Sequence, residues 1–196
     1  MRISKEPDIR KKELIETALK LFLDKGYEKT SIRDILREVK GSPGMFYYYF
    51  SSKEEIFESA IQYYVENYIQ KLSKIFQDEN LSLSEKYNNI VNEVIKAFED
   101  LKSISHIYFT PQYFPLRVKI AFKILDGLIQ PFSELIDKFK KDKNIDSKKI
   151  ATFILYGVYG ILHQNSENQK PKDIQEILNT IYALTEKILN SSIEGR

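Results

Sequence analysis

No cysteine and no tryptophan occur among the 196 residues, and glycine and proline number only 7 and 6. Without thiols there is no disulfide framework, thiolate zinc site or thiol nucleophile, which suits a reducing compartment and predicts a cytoplasmic location. So little glycine and proline excludes collagen-like and low-complexity designs and argues against a turn-rich all-β fold. The first residues, Met1 to Pro7, lack the apolar stretch of a secretory signal. The most apolar window, Ala151 to Leu162, has about half of the roughly 20 residues a bilayer span requires, so no membrane partner is expected. Histidine is scarce as well. His106 and His163 lie far apart, neither is spaced from carboxylates as a metal site needs, and no phosphate loop or nucleophile elbow appears. The expectation is no enzyme, no metal and no cofactor.

What is present is a balanced, helix-leaning composition: 42% hydrophobic residues, 30 Lys+Arg and 28 Asp+Glu. The net charge of +2 is uneven along the chain. Residues 1 to 53 hold twelve basic and eight acidic side chains, a balance of +4, and residues 54 to 196 balance at −2. That asymmetry points to a polyanion-binding head on a near-neutral body.

Punctuation of the chain predicts helices throughout. Asp8 would cap a helix over 9 to 25, with Ile15, Ala18, Leu19 and Phe22 at helical spacing and Gly26 as its left-handed stop. Thr30 or Ser31 would start a second helix that breaks at Lys40-Gly41. Ser42-Pro43 would open a third, to about Tyr49, and Ser52 to Glu55 reads as a capping box opening a fourth. Three short helices with such breaks are the layout of a helix-turn-helix unit. The fourth helix carries one apolar stripe from Ile56 to Phe76. Further helices are expected near 83 to 101, 103 to 110, 116 to 141 with a kink or split at Pro131, from an Asp146 cap to Gln164, and from Pro171 to Asn190.

Residues 10 to 61 resemble the DNA-binding domain of the TetR/AcrR family of transcriptional regulators. The match is carried by Ile15 to Phe22, Lys25-Gly26-Tyr27, Thr30-Ser31-Ile32, Asp34-Ile35, the string Ser42 to Phe50, and Ser52 to Glu55. The resemblance implies an all-α protein: a three-helix helix-turn-helix DNA-binding domain over 1–53 and a helical effector-binding and dimerisation domain over 54–196. It implies phosphate contacts from Thr30 or Ser31, Ser42, Tyr47, Tyr49 and Lys53, and base contacts from Arg33, Pro43, Gly44 and Met45. Arg33 suits bidentate reading of guanine, and Met45 suits a thymine methyl. Gly44 removes a side chain where backbone must come close to DNA. The usual Ala-Gly-Val of the turn is here Val39-Lys40-Gly41, which would alter the turn backbone and aim Lys40 at a phosphate.

Similar proteins dimerise through their last two long helices, which here assigns Ile154, Val158, Leu162, Ile177, Ile181 and Leu184 to the dimer interface, with Gly157 and Gly160 allowing close approach. The aromatic-rich middle would line an effector pocket: Phe76, Phe98, Tyr108, Phe109, Tyr113, Phe114, Phe122, Phe132 and Tyr156, with Arg117, Lys119 and Lys123 for an anionic head group. The expected partners are an operator duplex, a second copy of the chain and a lipophilic effector such as a long-chain acyl-CoA. The alternatives are a regulator of an efflux or catabolic operon sensing an aromatic or cationic lipophilic compound and, more remotely, a helical scaffold or enzyme without DNA binding.

Overall fold

The computed structural model describes residues 6–108, 110–141, 143–144, 146–163 and 171–190, and of residues 106, 108, 162, 163, 171–173 and 188–190 only the backbone. Among these, every regular element is a helix and no strand occurs. The order is α1 (Pro7–Lys25), α2 (Ile32–Glu38), α3 (Pro43–Tyr49), α4 (Lys53–Gln77), α5 (Leu83–Leu101), α6 (Ser105–Tyr108), α7 (Phe114–Phe139), α8 (Ser147–His163) and α9 (Pro171–Asn190), with 3-10 turns at Lys102–Ile104 and Pro111–Tyr113.

Two expected boundaries differ. Asp8 lies inside α1, which begins at Pro7 with Glu6 as N-cap and no side-chain cap bond. Proline at the first helical position loses no bond the helix would have made and presets its φ, so the helix starts earlier than a carboxylate cap suggests. The second is α7, which runs through Pro131 without a split. The box at α4 is also rearranged. The Ser52 hydroxyl accepts from the Glu55 N–H at 3.2 Å, while the Glu55 carboxylate reaches back to the Ser51 N–H at 2.7 Å.

The chain packs as two units. One comprises residues 1–67 and 99–118, the other 68–98 and 119–196, and the chain passes between them within α4, α5 and α7. In the first unit, three short helices gain a core by recruiting aromatics. Phe22, Tyr27 and Phe57 meet with ring centroids 4.8 to 5.5 Å apart, and Tyr113 stands 5.3 Å from Phe57. Leu14, Ala18, Ile35, Phe46, Phe50, Ile56 and Ala60 complete that core. The 3-10 turn at 102–104 lies on the end of α1, where the Ser103 hydroxyl donates to the Phe22 carbonyl at 3.3 Å.

Among its described residues the second unit holds three apolar clusters. Leu72, Phe76, Leu128 and Leu135 form one, with Phe132 stacked on Phe76 at 5.1 Å. Val91, Ile174 and Leu178 form another, and Ile136 with Ala151 the third.

Candidate nucleic-acid interface

The geometry of the head follows from how its two short helices are capped. Ser31 caps α2 by accepting from the Asp34 N–H at 3.2 Å, and its own N–H and hydroxyl donate to the Asp34 carboxylate at 2.9 and 2.6 Å. These donors, with Arg37 at 2.6 Å, hold the Asp34 pKa down at about 2. Arg37 is thereby tied to its own helix. Arg33 is exposed and has no ion-pair partner among the described residues, so its guanidinium is available to a ligand.

The turn between α2 and α3 closes as a Schellman motif. The Gly41 N–H donates to Leu36 O at 2.8 Å and the Lys40 N–H to Arg37 O at 3.3 Å. Such a closure needs a left-handed residue, and Lys40 supplies it at φ +50°, the one positive φ among described residues other than glycine. Gly41 serves a different need, close packing: a Cβ there would displace the flexible end of Met45 and stand 3.0 Å from Leu36 Cδ2 and 3.2 Å from Val39 Cγ2. The displacement of glycine by one place is thus resolved, with space given to Gly41 and strain to Lys40. Replacing Lys40 by glycine is expected to raise stability by about 1 kcal/mol, or roughly 2–4 °C in Tm. If its ammonium meets a phosphate, the same change lowers DNA affinity and flattens the salt dependence by about one unit of slope. Calorimetry and a salt titration of DNA binding read the two effects separately.

On α3, Ser42 is the N-cap, accepting from Met45 N–H at 3.4 Å, and Pro43 takes the first helical position. Phe46 is fully buried and anchors the helix from below. Pro43 and Gly44 are exposed and Met45 is half-buried. A Cβ on Gly44 would meet nothing within 4 Å, so neither space nor backbone conformation in this chain calls for glycine there. Tyr47 and Tyr48 are 60% and 74% exposed, unusual for large aromatic side chains in a small head. Tyr49 is half-buried, its ring edge-on to Tyr48 at 4.8 Å. The expectation singled out Tyr47 and Tyr49 and missed Tyr48. Its signal was present, since Tyr48 falls two positions after the buried Phe46 and so on the opposite side of the helix.

Lys53 is held by an aromatic platform. Its ammonium lies 4.1 Å from the Tyr27 ring centroid, and the Tyr27 hydroxyl donates to Glu54 at 2.9 Å. Burial lowers the Lys53 pKa, and burial with the Glu54 bond raises that of Tyr27. Thr30 does not join this surface. It is fully buried, and its hydroxyl donates to the carbonyls of Leu21 at 3.1 Å and Gly26 at 2.9 Å. A β-branched hydroxyl next to a helix end can bond outward or inward, and here it closes the end of α1, which leaves Ser31 as the exposed member of the pair.

The described members of the nine aromatics expected to line a pocket fall in both units. Tyr113 is buried in the first unit, and Phe114 beside it is 59% exposed, with Arg117 over its ring and bonded to Thr110 O at 3.0 Å. In the second unit, Phe76 and Phe132 stack in one cluster and Phe98 packs on another, whereas Phe122 and Tyr156 are exposed neighbours 6.2 Å apart. Phe109 and the side chain of Tyr108 lie outside the described residues. A cleft of about 250 Å³ among the described residues of this unit is lined by Phe76, Leu81, Leu135 and Phe139 together with the charged Asp78, Glu79, Lys86 and Lys138.

On α8 the outward face is shifted from the expected one. Ile154 is buried, and Val158 packs with Ile177 on the cluster of Val91, Ile174 and Leu178 inside the unit. Phe153 at 73% exposure and Ile161 at 47% face outward with Gly157 and Gly160, where an added Cβ meets open space. On α9, Ile181 is half-buried and Leu184 is 55% exposed; the side chains of Leu162 and His163 lie outside the described residues.

Residues 14–60 match the family model for bacterial regulatory proteins of the tetR family. Over 66 residues the chain is 46% identical to the HTH-type transcriptional regulator YuxN of Bacillus subtilis, a match covering 34% of this chain and 23% of that one. It is 26% identical over 141 residues to IcaR of Staphylococcus aureus, the negative regulator of the biofilm operon icaADBC, covering 71% of this chain and 74% of that one. In fold it is similar to a transcriptional regulator of Cytophaga hutchinsonii, with a TM-score of 0.69 and 19% identity over 91% of this chain and 95% of the other.

Proposed function

We propose that the chain, whose residues 14–60 match the family model for bacterial regulatory proteins of the tetR family, is a regulator of transcription of that family and not an enzyme. On that premise the protein is a repressor that binds a palindromic operator as a homodimer and is released by a small lipophilic effector. The observation that carries this reading is the surface of α3, where Gly44 faces open space and Tyr47 and Tyr48 stay largely exposed although each ring meets an aromatic neighbour of its own helix, Phe46 and Tyr49. The likeness to IcaR, a negative regulator, supports repression as the sign of the response. Operator binding is expected to fall with salt. Tyr47→Ala with Lys53→Ala should weaken it about equally at every sequence, because phosphate contacts carry no sequence information. Fluorescence anisotropy on duplexes from the region upstream of its own gene checks this, and unchanged affinity in the double variant removes both residues from the interface.

The outward face of α8 supports the second copy. Phe153, Gly157, Gly160 and Ile161 form an apolar strip with room for a close helix, and Leu184 adds to it from α9. Phe153→Asp should leave the fold intact, since the residue is 73% exposed, while shifting native mass spectra from dimer to monomer and weakening DNA binding by more than tenfold. A dimer that persists unchanged places the interface elsewhere.

For the effector, Arg117 is already engaged by the Thr110 carbonyl and the Phe114 ring. That leaves an acyl-CoA head group less to bind and favours the alternative of an aromatic lipophilic compound. Whatever its identity, the effector changes operator affinity only through different affinities for two arrangements of the protein. Native mass spectrometry of the purified protein, read for a co-purified adduct, separates the two classes by mass.

A further inference from the structure

We infer that the operator is read chiefly through thymine methyl groups, with one guanine per recognition unit read by Arg33, so that the cognate half-site is rich in A·T pairs. This rests on the regulator reading above and adds to it the class of sequence recognised.

The argument starts from what α3 is made of. Its seven residues, Pro-Gly-Met-Phe-Tyr-Tyr-Tyr, include no Arg, Lys, Asn, Gln, Asp or Glu. Major-groove reading of guanine needs a bidentate cation, reading of adenine needs an Asn or Gln amide, and reading of cytosine needs a carboxylate acceptor. None of these is on the helix that would enter the groove. What α3 exposes is the Pro43 ring, the bare backbone of Gly44, part of Met45, and the rings of Tyr47 and Tyr48. Apolar groups of this kind recognise the one apolar feature of the major groove, the thymine methyl. Tyrosine hydroxyls can form only single hydrogen bonds there and serve equally well on phosphate.

Neighbouring α2 offers two guanidinium groups, and the structure separates them. Arg37 is held to Asp34 at 2.6 Å, and Asp34 is itself fixed by Ser31 in the helix cap. Using Arg37 on a base would break this arrangement. Arg33 is exposed and unpaired among the described residues. One guanidinium therefore remains for one guanine. Gly44 fits the same scheme, because a helix that reads methyl groups by contact must come closer to the base edges than one that reaches them with long polar side chains.

The test uses the full-length protein and a randomised duplex pool. The expected outcome is an A·T-rich half-site containing one G·C pair whose preference is lost in Arg33→Ala. Thymines of that site are then replaced one at a time by deoxyuridine, which removes only the methyl. Contacted positions should each weaken by about fourfold, the equivalent of one buried methyl group, and flanking positions should not change. A G·C-rich consensus overturns the inference, and so does tight specific binding that is indifferent to deoxyuridine at every position; in both cases the regulator reading stands. Enrichment of no sequence at all overturns the regulator reading and the inference with it.

Discussion

Gly44→Ala is expected to give a protein that melts higher and binds its operator less well. The two effects have separate causes. In the fold, Gly44 occupies the second position of α3 with an ordinary negative φ, and a Cβ there would touch nothing. Alanine therefore brings only its advantage in helix propensity and in lower chain entropy of the unfolded state, about 0.4–1 kcal/mol, or roughly 1–4 °C in Tm. At the DNA face the added methyl stands where backbone approaches the bases. Forcing a methyl into a packed contact costs about 1–3 kcal/mol, which is about fivefold to 150-fold in affinity. Thermal melts and anisotropy titrations on the same preparation check both signs. A stabilised variant with unaltered affinity would mean that α3 does not approach DNA through Gly44. Loss of both stability and affinity would mean that the glycine serves the fold after all.

Gly44 also marks how far the sequence could be read. Caps were legible because their chemistry is local: Ser31 and Ser42 accept from N–H groups three residues on, and both helices start where those residues predict. Lys40 in place of the usual glycine was legible as a departure, but its left-handed φ and the crowding at Gly41 required the coordinates. The outward face of α8 was not legible. Phe153, Ile161, Ile154 and Val158 give that helix apolar residues on both sides, so a period of 3.6 cannot decide which side packs within the chain. The destinations of the aromatics of the middle segment were hidden for a related reason. An aromatic side chain carries no local mark of its destination, and Tyr113 entered the core of the first unit while Phe122 stayed exposed in the second. Thr30 was ambiguous because a hydroxyl beside a helix end can face outward or, as here, turn inward to the carbonyls of Leu21 and Gly26.

Lys86 shows the same limit from the other direction, and its replacement is expected to have the largest effect on stability of any single substitution considered. On α5 it lies four residues before Ile90, which puts an ammonium on the apolar face of an amphipathic helix. A lysine in that position must be paired or must shed its charge. The structure pairs it. Lys86 is 96% buried, being only 4% exposed, and its ammonium donates to the carbonyls of Ile75 at 2.9 Å, Phe76 at 3.0 Å and Asp78. The first two are carbonyls that α4, ending at Gln77, leaves without intrahelical partners, and the third lies one residue beyond the helix. One side chain thus satisfies three carbonyl acceptors with its three donors, and its charge complements the negative end of the helix dipole. Burial pushes the Lys86 pKa down while Asp78 opposes that shift, so the carbonyl cage and the nearby carboxylate are what keep the charge tolerable. Lys86→Met retains the length and the apolar stem but removes every donor. It is expected to destabilise the protein by about 2–4 kcal/mol, or roughly 4–16 °C in Tm, through acceptors left unpaired in the interior. Lys86→Arg should recover only part of this, because a planar fork cannot reach three carbonyls arranged around a single nitrogen. Both variants keep α3 and Lys53 untouched, so below the melting transition their affinity for DNA should match that of the parent. Denaturant unfolding with an unchanged midpoint in Lys86→Met would show that water replaces the lysine at the end of α4 and that the buried ammonium contributes nothing net.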